Sequence, residues 1–167
     1  SLAFLDRAMP YYNLDTPIGY MKAAAYLYKS VFNNEDNIVA RSLLAISYMR
    51  LAEIIPRDER FFKTINDLLK LDPSKKINRP LEYYVALSEF NVLMERPERA
   101  LEIISAVSKR SPMPMLLYQE AFLLRMQGEK NKAISTITRA LSMTEQGERN
   151  PRHLLLYAQL LEEKDQH

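Results

Sequence analysis

Apolar residues recur every three or four positions along most of the chain, which is the spacing of one face of an α-helix. The clearest case is the segment 114–144, in which two such patterns are separated by Gly128. Because glycine accepts the left-handed backbone that ends many helices, we predict a helical hairpin that turns at this residue. The small side chains of Ala121 and Ala133 predict that the two helices of this hairpin approach each other closely.

Seven further helices are predicted from the same spacing and from helix-end signals. The first covers residues 2–9 and is expected to end at Pro10, because proline has no N–H to donate to the helix ladder. The second begins at Pro17 and is apolar nearly all round from Ile18 to Phe32, so we expect it to be covered on more than one side. The others are predicted at about residues 38–54, 58–71, 81–94, 97–110 and 151–163.

The sequence contains no strand pattern. It has three glycines and neither an Asn-Gly nor an Asp-Gly hairpin turn, so the predicted fold class is all-α. Most tyrosines fall at helical core or groove positions, and we expect side chains such as Tyr20 and Tyr28 to pack inside. The apolar stripe of the last helix is expected to consist of Leu154, Tyr157, Ala158 and Leu161.

Residues of similar character recur 33 positions apart, as in Ala100 and Ala133 or Ile104 and Ile137. An earlier copy around Phe61 is offset by 39 positions, and the surplus falls in the connection SKKINRP at 74–80. This pattern resembles the tetratricopeptide repeat (TPR), a helical hairpin of about 34 residues with small residues at the close-packing positions. The residues that match this repeat best are Gly128, Ala133, Ala140 and Leu141, whereas the tryptophan of the family pattern is missing throughout.

The resemblance implies a right-handed superhelical stack of antiparallel helix hairpins with about nine helices. Within a single domain, residues 1–37 would form N-terminal helices that pack on the repeats of residues 38–167. The repeats would cover about 42–75, 81–113 and 114–147, followed by a terminal helix at 150–165. An unrelated all-α bundle whose hairpins match by chance is the alternative.

In TPR proteins the first helix of each hairpin lines a concave surface that often holds an extended peptide or a helix. The resemblance assigns this partner-binding groove to Leu43, Ile46, Arg50, Glu82, Val85, Glu89, Met115, Tyr118, Phe122, Arg125, Arg152, Leu155 and Gln159. The lining is apolar and aromatic at positions where families that grip a C-terminal carboxylate carry lysine, asparagine and arginine. An apolar segment of a protein is therefore the expected partner. Alternatively, the groove is filled by the chain's own residues 2–32 or by a second copy, as a homodimer.

Composition excludes several classes of function. The 167 residues are 47% hydrophobic and contain no cysteine, which removes disulfides, thiolate zinc sites and cysteine nucleophiles. The net charge is +2 with both signs interspersed, so we expect no direct contact with nucleic acid. No apolar run is long enough to span a membrane. Because the chain opens with Ser1, we expect a fragment or a processed product.

The sequence contains no recognisable group of catalytic, cofactor-binding or metal-ligating residues. The histidines, His153 and His167, are far from each other and from paired carboxylates. Glu162 and Glu163 are interpreted as a solvated helix end. We therefore expect a protein that is not an enzyme and needs no cofactor.

The sequence thus predicts a non-enzymatic module for protein–protein interaction. The order of a divergent hairpin, a long bridge and two better repeats looks like the C-terminal sensory domain of CadC/ToxR-type membrane-anchored transcriptional regulators. That likeness would imply a periplasmic location, and without it the protein would be cytoplasmic. The alternatives are a free-standing assembly or chaperone-like adaptor and a helical domain that binds a small ligand.

Overall fold

A computed structural model describes residues 2–166, and this part of the chain contains nine α-helices, one short 3-10 helix (Gln146–Glu148) and no β-strand. The predictions of an all-α fold and of about nine helices are confirmed. Ser1 and His167 lie outside the described residues. The helices are α1 (Leu2–Tyr12), α2 (Pro17–Asn33), α3 (Ile38–Arg50), α4 (Glu59–Leu69), α5 (Leu81–Leu93), α6 (Pro97–Arg110), α7 (Pro114–Met126), α8 (Lys130–Ser142) and α9 (Pro151–Asp165).

The chain divides into two compact units, residues 1–90 and residues 91–167, and the boundary falls inside α5. Unit 1 contains α1 to α4 and most of α5, and unit 2 contains the end of α5 and α6 to α9. The predicted arrangement of N-terminal helices and repeats in a single domain stays a prediction.

In unit 1 the hairpin of α1 and α2 packs on α3 through small side chains. Ala8 of α1, Ala23 of α2 and Ala40 of α3 are fully buried in one apolar cluster, together with Leu27 and Leu43. Alanine carries only a methyl group beyond the backbone, so three helix surfaces can meet here at short range. The N-terminus of α2 is capped by the Thr16 hydroxyl, which accepts a hydrogen bond from the Gly19 N–H at 3.1 Å.

The expected end of the first helix at Pro10 is wrong, because α1 continues through this residue to Tyr12. A proline removes the bond that its own N–H would donate and its ring crowds the carbonyl four residues earlier, and here aromatic packing stabilises the turn that follows. The Tyr11 ring stacks on Tyr26 of α2 with centroids 5.8 Å apart, and the Tyr12 ring meets Tyr20 edge to face at 5.5 Å.

The α3–α4 hairpin is fixed at its open end, where α3 begins and α4 ends. Asn37 caps α3 by accepting a hydrogen bond from the Ala40 N–H at 3.0 Å. From the first turn of α3, the Arg41 guanidinium donates to the carbonyl oxygens of Asp67 (2.9 Å) and Lys70 (2.5 Å) at the C-terminus of α4. The positive charge of Arg41 at these carbonyls also interacts favourably with the negative end of the α4 helix dipole. The residues from Asp72 to Pro80 that follow form turns and no helix, as predicted for the bridge.

In unit 2 the helices α7, α8 and α9 share one core. Ala121 of α7 and Ala133 and Ala140 of α8 are fully buried at the hairpin seam, which confirms the predicted close approach of these two helices. Leu156 and Leu160 of α9 enter the same cluster. Both α7 and α9 therefore pack against α8.

The predicted apolar stripe of α9 is, for most of its members, not the buried side of this helix. Leu154, Ala158 and Leu161 are exposed, whereas the buried residues of this helix are His153, Leu156 and Leu160. The sequence of α9 carries apolar residues on both sides, so the periodicity alone does not decide between them. Packing against α7 and α8 buries one side and leaves the other open.

The helical hairpins turn in the same way 33 residues apart. Gly128 has φ +78°, and the N–H of the next residue, Glu129, donates to the Leu124 carbonyl at 2.9 Å. Glu95, 33 positions earlier, has φ +58°, and the Arg96 N–H donates to the Asn91 carbonyl at 2.8 Å. These bonds close the C-terminus of each helix through a residue in the left-handed region. The turn before α6 thus has a glutamate where the turn before α8 has a glycine.

This difference predicts opposite effects of substitution at the two turns. We expect Gly128→Ala to lower the free energy of unfolding by about 1 kcal/mol, because a Cβ atom is strained at this φ, and Glu95→Gly to raise it by up to about 1 kcal/mol. Gly147 is the control: a Cβ there meets no atom within 4 Å and its φ is not positive, so Gly147→Ala should change stability little. Urea denaturation of the three variants checks this. Equal losses in Gly128→Ala and Gly147→Ala would contradict it.

Candidate partner-binding face

Four of the predicted groove residues lie on one side of α7. Met115, Tyr118, Phe122 and Arg125 are spaced by three or four residues, so they share a helix face. Tyr118 and Phe122 are half-buried and pack against the core cluster of unit 2, while Met115 is 39% exposed. The middle of this α7 face, at Tyr118 and Phe122, is therefore fixed by packing. Its first turn, at Met115, is open to solvent.

The predicted residues of α9, Arg152, Leu155 and Gln159, also share one helix face. Leu155 is 59% exposed, and Arg152 and Gln159 are half-buried. An exposed leucine between two polar residues gives this face an apolar centre.

Two contacts join the faces of α7 and α9. Near the start of α9 the rings of Tyr118 and His153 are stacked, with centroids 4.8 Å apart and planes 19° apart. Near the end of both helices the Arg125 guanidinium donates to the Gln159 side-chain oxygen at 2.8 Å and to a Glu163 carboxylate oxygen, with Nε at 2.9 Å. The two helix sides thus adjoin. We call the predicted groove residues on them the α7–α9 face, which consists of Met115, Tyr118, Phe122, Arg125, Arg152, Leu155 and Gln159.

Glu163, predicted as part of a solvated helix end, is partly exposed and also accepts two hydrogen bonds from Arg125. These bonds hold the pKa of Glu163 below its usual range, and the charge of Arg125 acts in the same direction. Glu163 therefore remains an anion that balances Arg125.

The predicted groove residues of unit 1 are buried or half-buried. Leu43, Ile46 and Val85 are buried, so their side chains are unavailable to a partner in this conformation. Leu43 lies in the cluster that includes Ala8 of α1 and Ala23 of α2. The Leu43 side chain thus belongs to the core that α3 shares with the N-terminal hairpin. Glu82 is half-buried.

The remaining two residues of unit 1, Arg50 and Glu89, form a bidentate ion pair. Arg50 Nη2 lies 2.5 Å from Glu89 Oε1, and Nε lies 3.2 Å from Oε2. Burial alone would lower the pKa of Arg50, but the Glu89 carboxylate more than offsets this and the pKa is raised. Burial, and next the charge of Glu89, raise the pKa of the Tyr12 hydroxyl. Tyr12 is thus a neutral neighbour of a charged pair.

Arg50, Glu89, Arg125 and Gln159 were all predicted as groove residues, but their pairing was not predicted. The signal was present in the repeat offset: Arg125 and Gln159 are 34 residues apart, and Arg50 and Glu89 are 39 apart, which is the offset that includes the bridge. Residues one repeat apart on successive first helices of a TPR-like stack are neighbours. Opposite or complementary groups at that separation therefore predict a contact.

Among the described residues, no group of three or more histidine, cysteine, aspartate or glutamate side chains is placed to hold a metal ion. Within the same part of the chain, no helix is both long and apolar enough to cross a lipid bilayer. His153 is buried with its ring stacked on Tyr118, and burial lowers its pKa. His167 lies outside the described residues.

No protein-family model matches this chain, and no curated protein matches its sequence. Among solved structures, a thermophilic TPR protein of Thermus thermophilus matches with a TM-score of 0.63. The fold of this chain is TPR-like. The two proteins are 15% identical, and the match covers 85% of this chain and 73% of the other, so the likeness concerns the fold alone. The predicted TPR-like stack of helix hairpins is thereby confirmed.

The lowered pKa of His153 predicts a pH dependence of stability. Because the folded protein binds this proton less readily than the unfolded chain, stability is full above the unfolded pKa of about 6.5 and declines as the pH falls below it toward the folded pKa. We expect the urea concentration at the unfolding midpoint to decrease when the pH is lowered from 7.5 to 5.5. This decrease should be smaller in His153→Phe. His167→Gln is the control and should keep the wild-type dependence. If the stability of His153→Phe depends on pH as strongly as that of the wild type, His153 is not the source of the pH dependence.

Proposed function

We propose that this protein is a non-enzymatic interaction module and that the α7–α9 face binds an apolar segment of a partner protein. A TPR-like fold is consistent with protein–protein interaction, which is the coarser part of this proposal. Two observations support the finer part. Met115 of α7 and Leu155 of α9 are exposed apolar side chains, and the α7 side of this face also carries the half-buried rings of Tyr118 and Phe122.

The composition of this face favours an apolar ligand over an anionic one. Its two aromatic rings are held by the core, so they offer contact area at little cost in side-chain entropy. Arg125 is already engaged by Gln159 and Glu163, which leaves its charge balanced. A partner would therefore gain more from apolar contacts with Met115 and Leu155 than from an ion pair with Arg125.

Selection from a random peptide library tests this proposal. Peptides selected on the wild-type protein should be rich in apolar residues and should bind Met115→Asp/Leu155→Asp at least about tenfold more weakly, because a carboxylate at each position opposes apolar contact. Ile54→Asp, which changes an exposed apolar residue of unit 1, is the matched control and should bind as the wild type does. Fluorescence anisotropy measures the affinities. Equal binding to wild type and double variant would overturn the proposal.

A more specific role would be that of the sensory domain of a CadC/ToxR-type membrane-anchored regulator. This role is supported by the sequence likeness and by the non-helical bridge between α4 and α5, which separates a divergent hairpin from two better repeats. In that role, partner binding would change the state of an attached DNA-binding domain. The parent gene tests this: a winged-helix segment and a membrane span upstream of this chain are expected, and their absence would leave a free-standing adaptor.

A further inference from the structure

Helix α2 carries an exposed apolar stripe along its whole length. Ile18 is 67% exposed, Met21 58%, Tyr28 58% and Phe32 77%, and the exposed Ala25 lies at the centre of the stripe. The sequence had predicted that Tyr28 packs inside, and that prediction is wrong. The opposite side of α2 is buried, because Ala23, Ala24 and Leu27 belong to the core cluster with α1 and α3. The α2 stripe is thus a second apolar side of a helix that the sequence predicts to be covered on more than one side.

The spacing of the stripe fits another helix. Its five members follow each other by three, four, three and four residues, which is the alternation of the a and d positions of a coiled coil. An extended strand presents every second side chain on one face, and this spacing does not match a row of residues that recur every three or four positions along a helix. The regular partner for this row is therefore an α-helix with apolar residues at the same spacing.

The charges beside the stripe determine what kind of helix fits. Lys22 and Lys29, seven residues apart, lie on one flank, with their ammonium groups 5.3 Å from the Tyr11 ring centroid and 5.9 Å from the Phe4 ring centroid. Helix α2 contains no aspartate or glutamate. A second copy of α2 would bring no carboxylate to these lysines, whereas a helix with acidic residues beside its apolar row would pair with both of them.

The stripe also has a recess at its C-terminal end. A cavity of about 220 Å³ is lined by Phe4, Tyr28, Lys29, Phe32 and Asn33. The recess offers aromatic walls and one cation at its rim. Such a cavity can receive a single apolar side chain of a partner helix, which gives the contact a fixed register.

We propose that the α2 stripe docks an amphipathic helix of a partner protein that has apolar residues at heptad spacing and acidic residues on one flank. One of its apolar side chains enters the recess between Phe4 and Phe32, and its carboxylates lie opposite Lys22 and Lys29. This site belongs to unit 1 and uses none of the α7–α9 residues, so it stands whether or not the proposed function of that face holds.

Two synthetic peptides of about three heptads test the proposal on the whole chain. Both carry leucine at the a and d positions, and the flanking e and g positions are glutamate in one and lysine in the other. We expect the acidic peptide to bind, measured by fluorescence anisotropy, and the basic peptide to bind at least about tenfold more weakly. Higher salt should weaken binding of the acidic peptide, because the ion pairs are exposed.

Variants of exposed residues separate the two parts of the interaction. Met21→Glu/Tyr28→Glu should weaken the acidic peptide at least about tenfold, and Ile54→Glu, outside the stripe, should leave its affinity unchanged. Lys22→Glu/Lys29→Glu should reverse the preference so that the basic peptide binds more tightly. This reversal would not follow from a loss of folding. Ala25→Arg places a charge in the stripe and keeps both lysines, so it is the second variant if circular dichroism shows that Met21→Glu/Tyr28→Glu is unfolded.

Several results would overturn the proposal. Equal affinity for the two peptides would mean that the stripe is merely apolar, and an unchanged preference in Lys22→Glu/Lys29→Glu would exclude the lysines. Sedimentation of the wild type as a dimer that Met21→Glu/Tyr28→Glu dissociates would identify a second copy as the occupant. Binding to vesicles of phosphatidylcholine and phosphatidylserine with no binding to the acidic peptide would identify a lipid surface.

Discussion

The close approach of helices at alanine-lined seams is the interaction on which the other features depend. In unit 2 this seam is formed by Ala121, Ala133 and Ala140, and in unit 1 by Ala8, Ala23 and Ala40. A side chain limited to one methyl group lets two backbones come near enough for the larger residues on either side to interlock. Because the seam fixes α7 on α8, and α9 packs on the same helix, the stripes of α7 and α9 meet as one face.

Arginine–glutamate pairs recur in the two units, each near the ends of first helices. Arg50 pairs with Glu89 in unit 1 and Arg125 with Glu163 in unit 2. A guanidinium that donates more than one hydrogen bond holds two helices in a defined relation, since its planar fork fixes the direction of each bond. In unit 2 this pair closes one end of the α7–α9 face, and its charges are balanced internally. The rest of the face is then free to be apolar, which is the basis of the proposed preference for an apolar partner.

The sequence predicted the elements well because their signals are local. The eight helices between Pro17 and Asp165 begin within two residues of the predicted positions, since capping side chains, prolines in the first turn and Gly128 act within one helical turn. The repeat offset of 33 residues was also readable and is repeated in the backbone of the turns at Glu95 and Gly128. The helix end predicted wrongly at Pro10 was decided by tyrosine rings of the next helix, which no local rule includes.

The candidate sites were less predictable because they depend on which side of a helix is covered. Leu43 was expected in an open groove and is buried by α1 and α2, while Tyr28 was expected inside and is exposed. Both residues lie on helices that are apolar on more than one side. In α9 the apolar stripe that includes Leu154 is largely exposed, and nothing in the sequence indicated that His153 stacks on Tyr118. Periodicity reports that a helix has apolar sides, and only the neighbouring helices determine which of them remains open.

Enlarging one buried alanine of the seam tests the account most directly. If α7 and α8 are in close contact at Ala121, Ala121→Leu should lower the free energy of unfolding by about 1–3 kcal/mol, because three added carbon atoms have no room. Ala106→Leu, at an exposed alanine of α6, should change it by less than about 0.5 kcal/mol. Urea denaturation of both variants beside the wild type gives the comparison. Equal stability of Ala121→Leu and Ala106→Leu would contradict the close packing from which the binding face is derived.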